Sequence, residues 1–199
     1  MSSILLVTTS PRGKESVSSK LATELAEKLA AKSGGTVVSR DVGNKPLPHI
    51  DSDFVTATRS GKTDFSAHEK AAHDRAMEIV GEVKAADVIV IGAAMINFSA
   101  TTNLKGWVDH LAVPKETFQY GANGPEGLVT GKKVYVVSAS AGSYGDGPGD
   151  YLKPWLTFAL GFMGMTDVEF IKVDALAYGP EAVEKSMNAA NAAITKIAA

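Results

Sequence analysis

The chain has 199 residues, of which 45% are hydrophobic, so it is long enough to bury one sizeable core. The net charge is only −2 and the basic residues are scattered, which argues against nucleic acid or a membrane surface as the main partner. The sequence contains no cysteine, which excludes disulfides, thiolate catalysis and cysteine-ligated metals. No apolar run is long enough to span a membrane, and the first residues do not form a signal peptide. We expect a single domain over residues 1–199, soluble and cytoplasmic.

Apolar runs and helical patterns alternate along the chain. Strands are predicted at residues 3–8, 36–40, 88–91, 134–137 and 168–173. Helices are predicted from the loop near residue 19 to about 33, and at about 66–85, 101–110, 151–162 and 181–197. Parallel neighbouring strands need crossover connections, and these cover both faces of a sheet. The pattern therefore predicts an α/β fold with a doubly wound, five-stranded parallel sheet and helices on both faces.

The loop after the first strand, residues 9–19, is rich in hydroxyl groups and leads into a helix. Such a turn directs backbone N–H groups, serine hydroxyls and the positive end of the helix dipole at one point, which suits a phosphate. The loop has neither the G-x-x-x-x-G-K-[ST] nor the G-x-G-x-x-G motif, so it suits a monophosphate such as that of FMN. Ser16 or Ser18 could equally be an ordinary N-cap. We expect both hydroxyls to lie in a solvent-accessible turn.

The loops after the first, third and fourth strands should build one site, because ligands of doubly wound sheets bind at the carboxyl ends of the strands. Residues 95–98, Met-Ile-Asn-Phe, offer an apolar shelf with an amide for a planar ring. Residues 138–148 are small and flexible, so the backbone can approach a ligand closely. Met95 and Phe98 could instead be ordinary core residues.

Four spaced segments resemble the FMN-dependent NADH azoreductases, a bacterial family of flavodoxin-like quinone reductases. They are residues 123–133 (NGPEGLVTGKK), 146–148 (DGP), 160–167 (LGFMGMTD) and 178–181 (YGPE). The resemblance implies a flavodoxin-like homodimer with one FMN per subunit. It also implies a ping-pong reaction in which NADH reduces the flavin, and quinones or azo compounds reoxidise it, the azo compounds being cleaved to aromatic amines.

The resemblance also assigns residues to the site. Contacts to the FMN phosphate fall on Ser10, Ser16, Val17 and Ser18. Contacts to the isoalloxazine ring fall on Met95, Ile96, Asn97, Phe98, Ala139, Ser140, Ala141 and Gly142. Tyr120, Tyr144 and Phe162 are the candidate substrate-binding residues, and Tyr120 and Phe162 come in part from the second subunit. For Phe162, packing in the core or at the dimer interface is the alternative role.

The mechanism needs no catalytic side chain and no metal, because the flavin carries the chemistry and the protein supplies position and electrostatics. Backbone N–H groups around residues 140–142 would donate to the charge that develops on the reduced ring. Many family members have Arg-Gly-Gly where this chain has residues 140–142, and often His where it has Tyr144. The missing arginine removes a positive charge from the pocket, whereas Tyr144 can still donate a hydrogen bond to a quinone oxygen.

Two other functions remain open at this point. One is an electron-carrier flavodoxin, although such carriers tend to be strongly acidic and this chain is near neutral. The other is a regulator whose pocket binds no flavin. The apolar and aromatic segment 107–120 is the surface on which we expect a second subunit to pack.

Overall fold

The computed structural model describes residues 1–145 and 147–199, so Asp146 of the 146–148 segment lies outside the described residues. The strands are β1 (Ser3–Thr8), β2 (Thr36–Asp41), β3 (Val88–Ile96), β4 (Ser99–Ala100), β5 (Phe118–Gly121), β6 (Gly124–Gly127), β7 (Lys133–Ala139) and β8 (Asp167–Val173). The helices are α1 (Val17–Ser33), α2 (Ser52–Arg59), α3 (Ala67–Ala85), α4 (Thr102–Leu111), α5 (Leu152–Phe162) and α6 (Pro180–Ala198).

The main sheet has the strand order β2-β1-β3-β7-β8, and these five strands are parallel. This order, 2-1-3-4-5 when only the parallel strands are counted, is that of the flavodoxin-like fold. The predicted doubly wound α/β sheet is confirmed. The order reverses between β1 and β3, so the carboxyl ends of these strands and of β7 form the edge where a ligand is expected.

Each face of the sheet carries its own buried layer. On one face, Ile4 and Leu6 of β1 pack with Leu25 of α1 and Ile194 of α6. The alternate residues of β1 point to the other face and pack beneath α3, α4 and α5. A strand buried on both faces must be apolar at every position, and this is why the run at residues 4–7 is continuous.

Helix α2 and strands β4, β5 and β6 were not expected from the sequence. Helix α2 lies between the strand predicted at 36–40 and the helix predicted at 66–85, where no element was predicted, and Asp51 caps it by accepting the N–H of Phe54 at 2.9 Å. Strands β5 and β6 form an antiparallel hairpin in which Phe118 faces Gly127 and Tyr120 faces Pro125. Among the described residues, no helix is long and apolar enough to cross a membrane.

Candidate functional site

The loops at the carboxyl edge of the sheet surround a cleft of about 260 Å³. Its lining residues are Ser10, Arg12, Ser16, Val17, Ala94, Met95, Ile96, Ala139, Ser140, Ala141, Leu176 and Ala177. Eight of them were assigned to the site from the sequence. The three loops expected to meet do meet, and they meet where the strand order reverses.

The serine hydroxyls at one end of the cleft are buried, so the expectation of a solvent-accessible turn is wrong. Ser10, Ser16 and Ser18 are 3%, 4% and 0% exposed. The cause is the close packing of α1 on the sheet, since a β-carbon at Gly92 of β3 would lie 3.0 Å from the carbonyl oxygen of Ser18. Ser16 and Ser18 are hydrogen-bonded to each other, with 3.1 Å between their Oγ atoms.

Ser16 is also the N-cap of α1, because its Oγ accepts the N–H of Ser19 at 3.3 Å. A helix leaves its first four N–H groups without intrahelical acceptors. Here Ser16 donates to the carbonyl oxygen of Gly13, and Ser19 donates to the cap. Among the described residues, the donors of this turn that remain without an acceptor are the N–H groups of Val17 and Ser18. Both proposed roles of the loop therefore coexist: the helix is capped, and two donors remain for an anion.

A cation lies at the same end of the cleft. Arg12 lines it, and the N–H of Arg12 donates to the Oγ of Ser10 at 3.3 Å. Arg12 was not among the residues predicted for the site, although a basic residue inside a hydroxyl-rich turn was the available signal. Positive charge, hydroxyl groups and helix N–H groups at one point make this end suited to a phosphate.

The turn after β2 supports the serine loop from the outside. The side chain of Asn44 donates to Asp41 Oδ2 at 2.7 Å, and its N–H donates to Asp41 Oδ1 at 3.1 Å. Burial acts to raise the pKa of Asp41, but these hydrogen bonds outweigh it and lower that pKa below its usual value. A β-carbon at Gly43 would lie 2.2 Å from the carbonyl oxygen of Ser10, so the two turns are in direct backbone contact.

The shelf after β3 ends in a tight turn. Met95 pairs with Ala100, and Ile96 pairs with Ser99, so the two residues between them form the turn of a β-hairpin. Asn97 has φ of 49° and Phe98 has φ of 72°, the left-handed pattern of a type I′ turn. Phe98 is 52% exposed at this tip. Of the two alternatives for Phe98, ordinary core packing is therefore excluded.

The loop after β7 is fixed by the loop after β8. The N–H groups of residues 175, 176 and 177 donate to the carbonyl oxygens of residues 142, 140 and 141, at 2.9, 3.3 and 3.0 Å. Ser140 N–H donates to the carbonyl oxygen of Val173, so it is not available to a ligand as expected. Within the described residues, the N–H groups of Ala141 and Gly142 have no acceptor, so these two can still serve as donors.

The loop after β8 is therefore part of the site, and Leu176 and Ala177 line the cleft. Only the loops after the first, third and fourth predicted strands were expected to form the site. The signal was topological, because the fifth parallel strand also ends at this edge of the sheet.

Tyr144 closes one side of the site. Its ring packs edge-to-face on Phe98, with 5.7 Å between ring centroids and 73° between planes. A β-carbon at Gly142 would lie 2.6 Å from the Tyr144 hydroxyl oxygen, so the tyrosine lies over the glycine. Gly142 and Asn97 do not line the cleft themselves, but each directly follows a residue that does, Ala141 and Ile96.

Tyr120 and Phe162 lie in a different part of the chain. Both pack on Phe118, with ring centroids 5.8 and 4.6 Å away. Helix α5 begins beside the shelf, where the N–H of Tyr151 donates to the carbonyl oxygen of Phe98 at 3.0 Å. Phe162 is the last residue of that helix, so it lies about 16 Å away at a rise of about 1.5 Å per residue. These two aromatic residues do not contribute to the cleft of their own chain.

The segment 107–120 is not the continuous apolar surface that the sequence suggested. Trp107 and Leu111 are fully buried in the core, and Phe118 is nearly so. Helix α4 turns its apolar stripe inward, and the exposed residues of the segment are Lys115 and, in the hairpin, Gln119 and Tyr120. Tyr120 is 77% exposed.

Known proteins resemble this chain over its whole length. A family model described as the flavodoxin-like fold matches residues 2–198. An FMN-dependent NADH:quinone oxidoreductase from Agrobacterium fabrum is 50% identical, and the alignment covers 100% of this chain and 98% of the relative. FMN-dependent NADH:quinone oxidoreductase 1 from Rhizobium etli has the same identity and coverage. The crystal structure of an azoreductase from Bacillus anthracis is 25% identical with a TM-score of 0.85, over 100% of this chain and 99% of that one.

Proposed function

Because the chain belongs to the family with the flavodoxin-like fold, and its relatives at 50% identity are FMN-dependent NADH:quinone oxidoreductases, we propose that it has the same activity. NADH is then the reductant, and quinones are the acceptors. Azo compounds, cleaved to aromatic amines, are a second acceptor class, which the likeness to an azoreductase structure supports.

The residues present fit FMN. The observation that carries this is a pair of donor sets beside one cleft that have no acceptor among the described residues: the N–H groups of Val17 and Ser18 at one end, and those of Ala141 and Gly142 in the loop after β7. The first set, with the hydroxyls of Ser10 and Ser16 and the cation of Arg12, would hold a phosphate. The second set, with the apolar shelf 95–98, would hold a planar ring and the negative charge at its edge.

When bound, FMN supplies the chemistry of accepting a hydride and passing on two electrons. The chain contributes binding, orientation and the exclusion of water. Ile96 and Phe98 offer exposed apolar surface for packing, and Tyr144 offers a hydroxyl that can donate to an acceptor oxygen. No side chain is required to move a proton in this proposal, and we assign none a catalytic role.

The electron-carrier alternative is less well supported. The relatives are named as oxidoreductases, and the net charge of −2 provides little steering toward a protein partner. The test is the anaerobic addition of NADH to the purified, FMN-loaded protein. We expect the visible flavin absorbance to bleach and to return when a benzoquinone is added. A carrier would not be reduced by NADH directly. A purified protein that is colourless and does not bind added FMN would overturn the whole proposal.

We also propose that the active form is a homodimer. Tyr120 on the hairpin and Phe158 on α5 are 77% and 76% exposed, and aromatic side chains are enriched at protein–protein interfaces. A neighbouring subunit would cover them and could bring Tyr120 and Phe162 to the cleft of its partner. Sedimentation should give a dimer, Phe158→Glu should dissociate it, and Val38→Glu on the edge strand β2 should not. A fully active monomer would contradict this.

Further parts of the proposal rest on the sequence. The whole chain would act as a single domain, with one FMN per subunit. A cytoplasmic location agrees with the absence of cysteine.

A further inference from the structure

The segment that carries Tyr144 is attached to β8 by Lys172. The Lys172 ammonium donates to the carbonyl oxygen of Gly145 and, at 3.2 Å, to Oδ2 of Asp150. The side chain of Asp150 is only 8% exposed, and its Oδ1 accepts the N–H of Lys153 at 2.9 Å. Both oxygens of the Asp150 carboxylate thus have a hydrogen-bond donor, and the ion pair is largely shielded from water. Salt and water screen a shielded charge pair much less than a pair at the surface.

A second contact fixes the start of the same segment. Asp174 lies two residues after Lys172, and its Oδ2 accepts the hydroxyl of Ser143 at 2.9 Å. The described parts of this segment, residues 143–145 and 147–150, are therefore each fixed by contacts to β8 or to the residue that follows it. Tyr144 lies between two of these contacts, and its ring packs on Phe98 at the tip of the shelf.

The end of the segment is also joined to the shelf. The N–H of Tyr151, next to Asp150, donates to the carbonyl oxygen of Phe98 at 3.0 Å. A continuous set of contacts thus connects the Lys172 ammonium to the Phe98–Tyr144 pair. None of the residues that make the ion pair was assigned a role by the proposed function.

We propose that Lys172 is a positioning residue for the electron acceptor: its ion pair with Asp150 holds Tyr144 against Phe98, and this aromatic pair receives a planar, uncharged quinone. The inference rests on the proposed function. An edge-to-face pair presents one ring face and one ring edge at a fixed angle, so a flat aromatic ligand packs on it well only while both rings are in place. Releasing the tyrosine should weaken acceptor binding and leave electron transfer from NADH unchanged.

The test uses Lys172→Met, Lys172→Arg and Asp150→Asn. The asparagine retains the oxygen that accepts the N–H of Lys153 and removes only the charge. In Lys172→Met and Asp150→Asn, KM for a neutral benzoquinone should rise roughly three- to tenfold, the size of one aromatic contact. The kcat and the rate of flavin bleaching by NADH should stay at the parent values. Lys172→Arg keeps the cation and should restore most of the affinity.

A second readout uses the protein without FMN. Hydrogen exchange of the amides in the segment 143–150 should be faster in Lys172→Met than in the parent. The matched control is Lys133→Met, because Lys133 of β7 pairs with Asp167 of β8 at 2.7 Å at the amino ends of these strands, the opposite end from Lys172. It should lose a lysine–aspartate ion pair without a change in acceptor KM or in exchange of this segment.

The outcomes separate the two proposals. If the parent is reduced by NADH and the acceptor KM is the same in Lys172→Met, Asp150→Asn and the parent, the positioning role is wrong while the proposed function stands. An equal rise in Lys133→Met would also overturn it. If the parent reduces no quinone at all, the proposed function fails, and the exchange measurement still decides whether Lys172 fixes the segment. If Lys172→Met does not fold, Asp150→Asn gives the answer.

Discussion

Replacing Ser16 tests whether one hydroxyl both caps α1 and binds a phosphate. The cap is visible in the 3.3 Å bond from the N–H of Ser19. Loss of a serine N-cap to alanine costs about 1 kcal/mol, which for a chain of this size lowers Tm by roughly 2–4 °C. Loss of a hydrogen bond to a charged group costs about 1.5–3 kcal/mol, which raises Kd roughly ten- to a hundredfold. Ser16→Ala should show both effects.

Ser16→Gly separates the two roles, because glycine replaces serine at an N-cap for only a few tenths of a kcal/mol. We expect Ser16→Gly to keep nearly the parent Tm without FMN and yet to bind FMN as weakly as Ser16→Ala. Ser18→Ala added to either variant should weaken binding further, since the two hydroxyls lie 3.1 Å apart. The measurements are FMN titration by fluorescence quenching and thermal unfolding of the FMN-free protein.

Ser66 provides the matched control, because it caps α3 by accepting the N–H of Glu69 at 3.2 Å. Ser66→Ala should lower Tm and leave the Kd for FMN unchanged. If Ser16→Gly binds FMN as tightly as the parent, the hydroxyl is a helix cap and nothing more. The phosphate would then be held by backbone N–H groups alone.

Three further results are expected. Gly142→Ala should fold, but the added carbon would lie 2.6 Å from the Tyr144 hydroxyl oxygen, so the ring should be displaced and the acceptor KM should rise. In a Tyr144→Ala background the same change should have no further effect on KM. An unchanged KM in the parent background would contradict the contact. Gly43→Ala brings a carbon within 2.2 Å of the Ser10 carbonyl oxygen, so FMN binding should fall sharply in a titration, and parent-like binding would show that the two turns are independent. Burial lowers the pKa of His110 below 6.5, so the unfolded chain binds a proton more readily than the folded protein does. The free energy of unfolding should therefore be highest above pH 6.5 and should fall as the pH drops through the lower pKa of the folded protein. Urea unfolding as a function of pH should lose this slope in His110→Asn, and an unaltered slope would assign it to other groups.

The parallel sheet could be predicted from the sequence because its three central strands, β1, β3 and β7, contain short apolar runs, and helical patterns separate these runs along the chain. The hairpin of β5 and β6 could not. Its second strand reads Gly-Pro-Glu-Gly, which has no strand-forming residue, and it is held by pairing with β5 and by packing on the end of α5. Helix α2 has only eight residues with two inward-facing apolar side chains, so its periodicity is too short to recognise.

Many of the residues that line the site were predicted, but their burial and their existing hydrogen bonds were not. Residues such as Met95 and Ser140 line the cleft as expected. The burial of Ser18 was missed because sequence alone does not show how closely α1 approaches Gly92. The occupied N–H of Ser140 was missed for a related reason, since it bonds to a strand 33 residues later in the chain. Local patterns report which groups are available, whereas tertiary contacts decide which of them are already used.

The turn at Asn97 and Phe98 has a consequence for engineering this chain. Asparagine tolerates the left-handed region, but phenylalanine pays about 1–2 kcal/mol there, and glycine would not. A thermostability screen would therefore favour Asn-Gly at this tip, the preferred sequence for such a turn. The selected variants would melt higher and lack the ring on which Tyr144 rests. At this position, selection for heat resistance and selection for turnover pull in opposite directions, so a stabilised catalyst would have to gain its extra stability elsewhere.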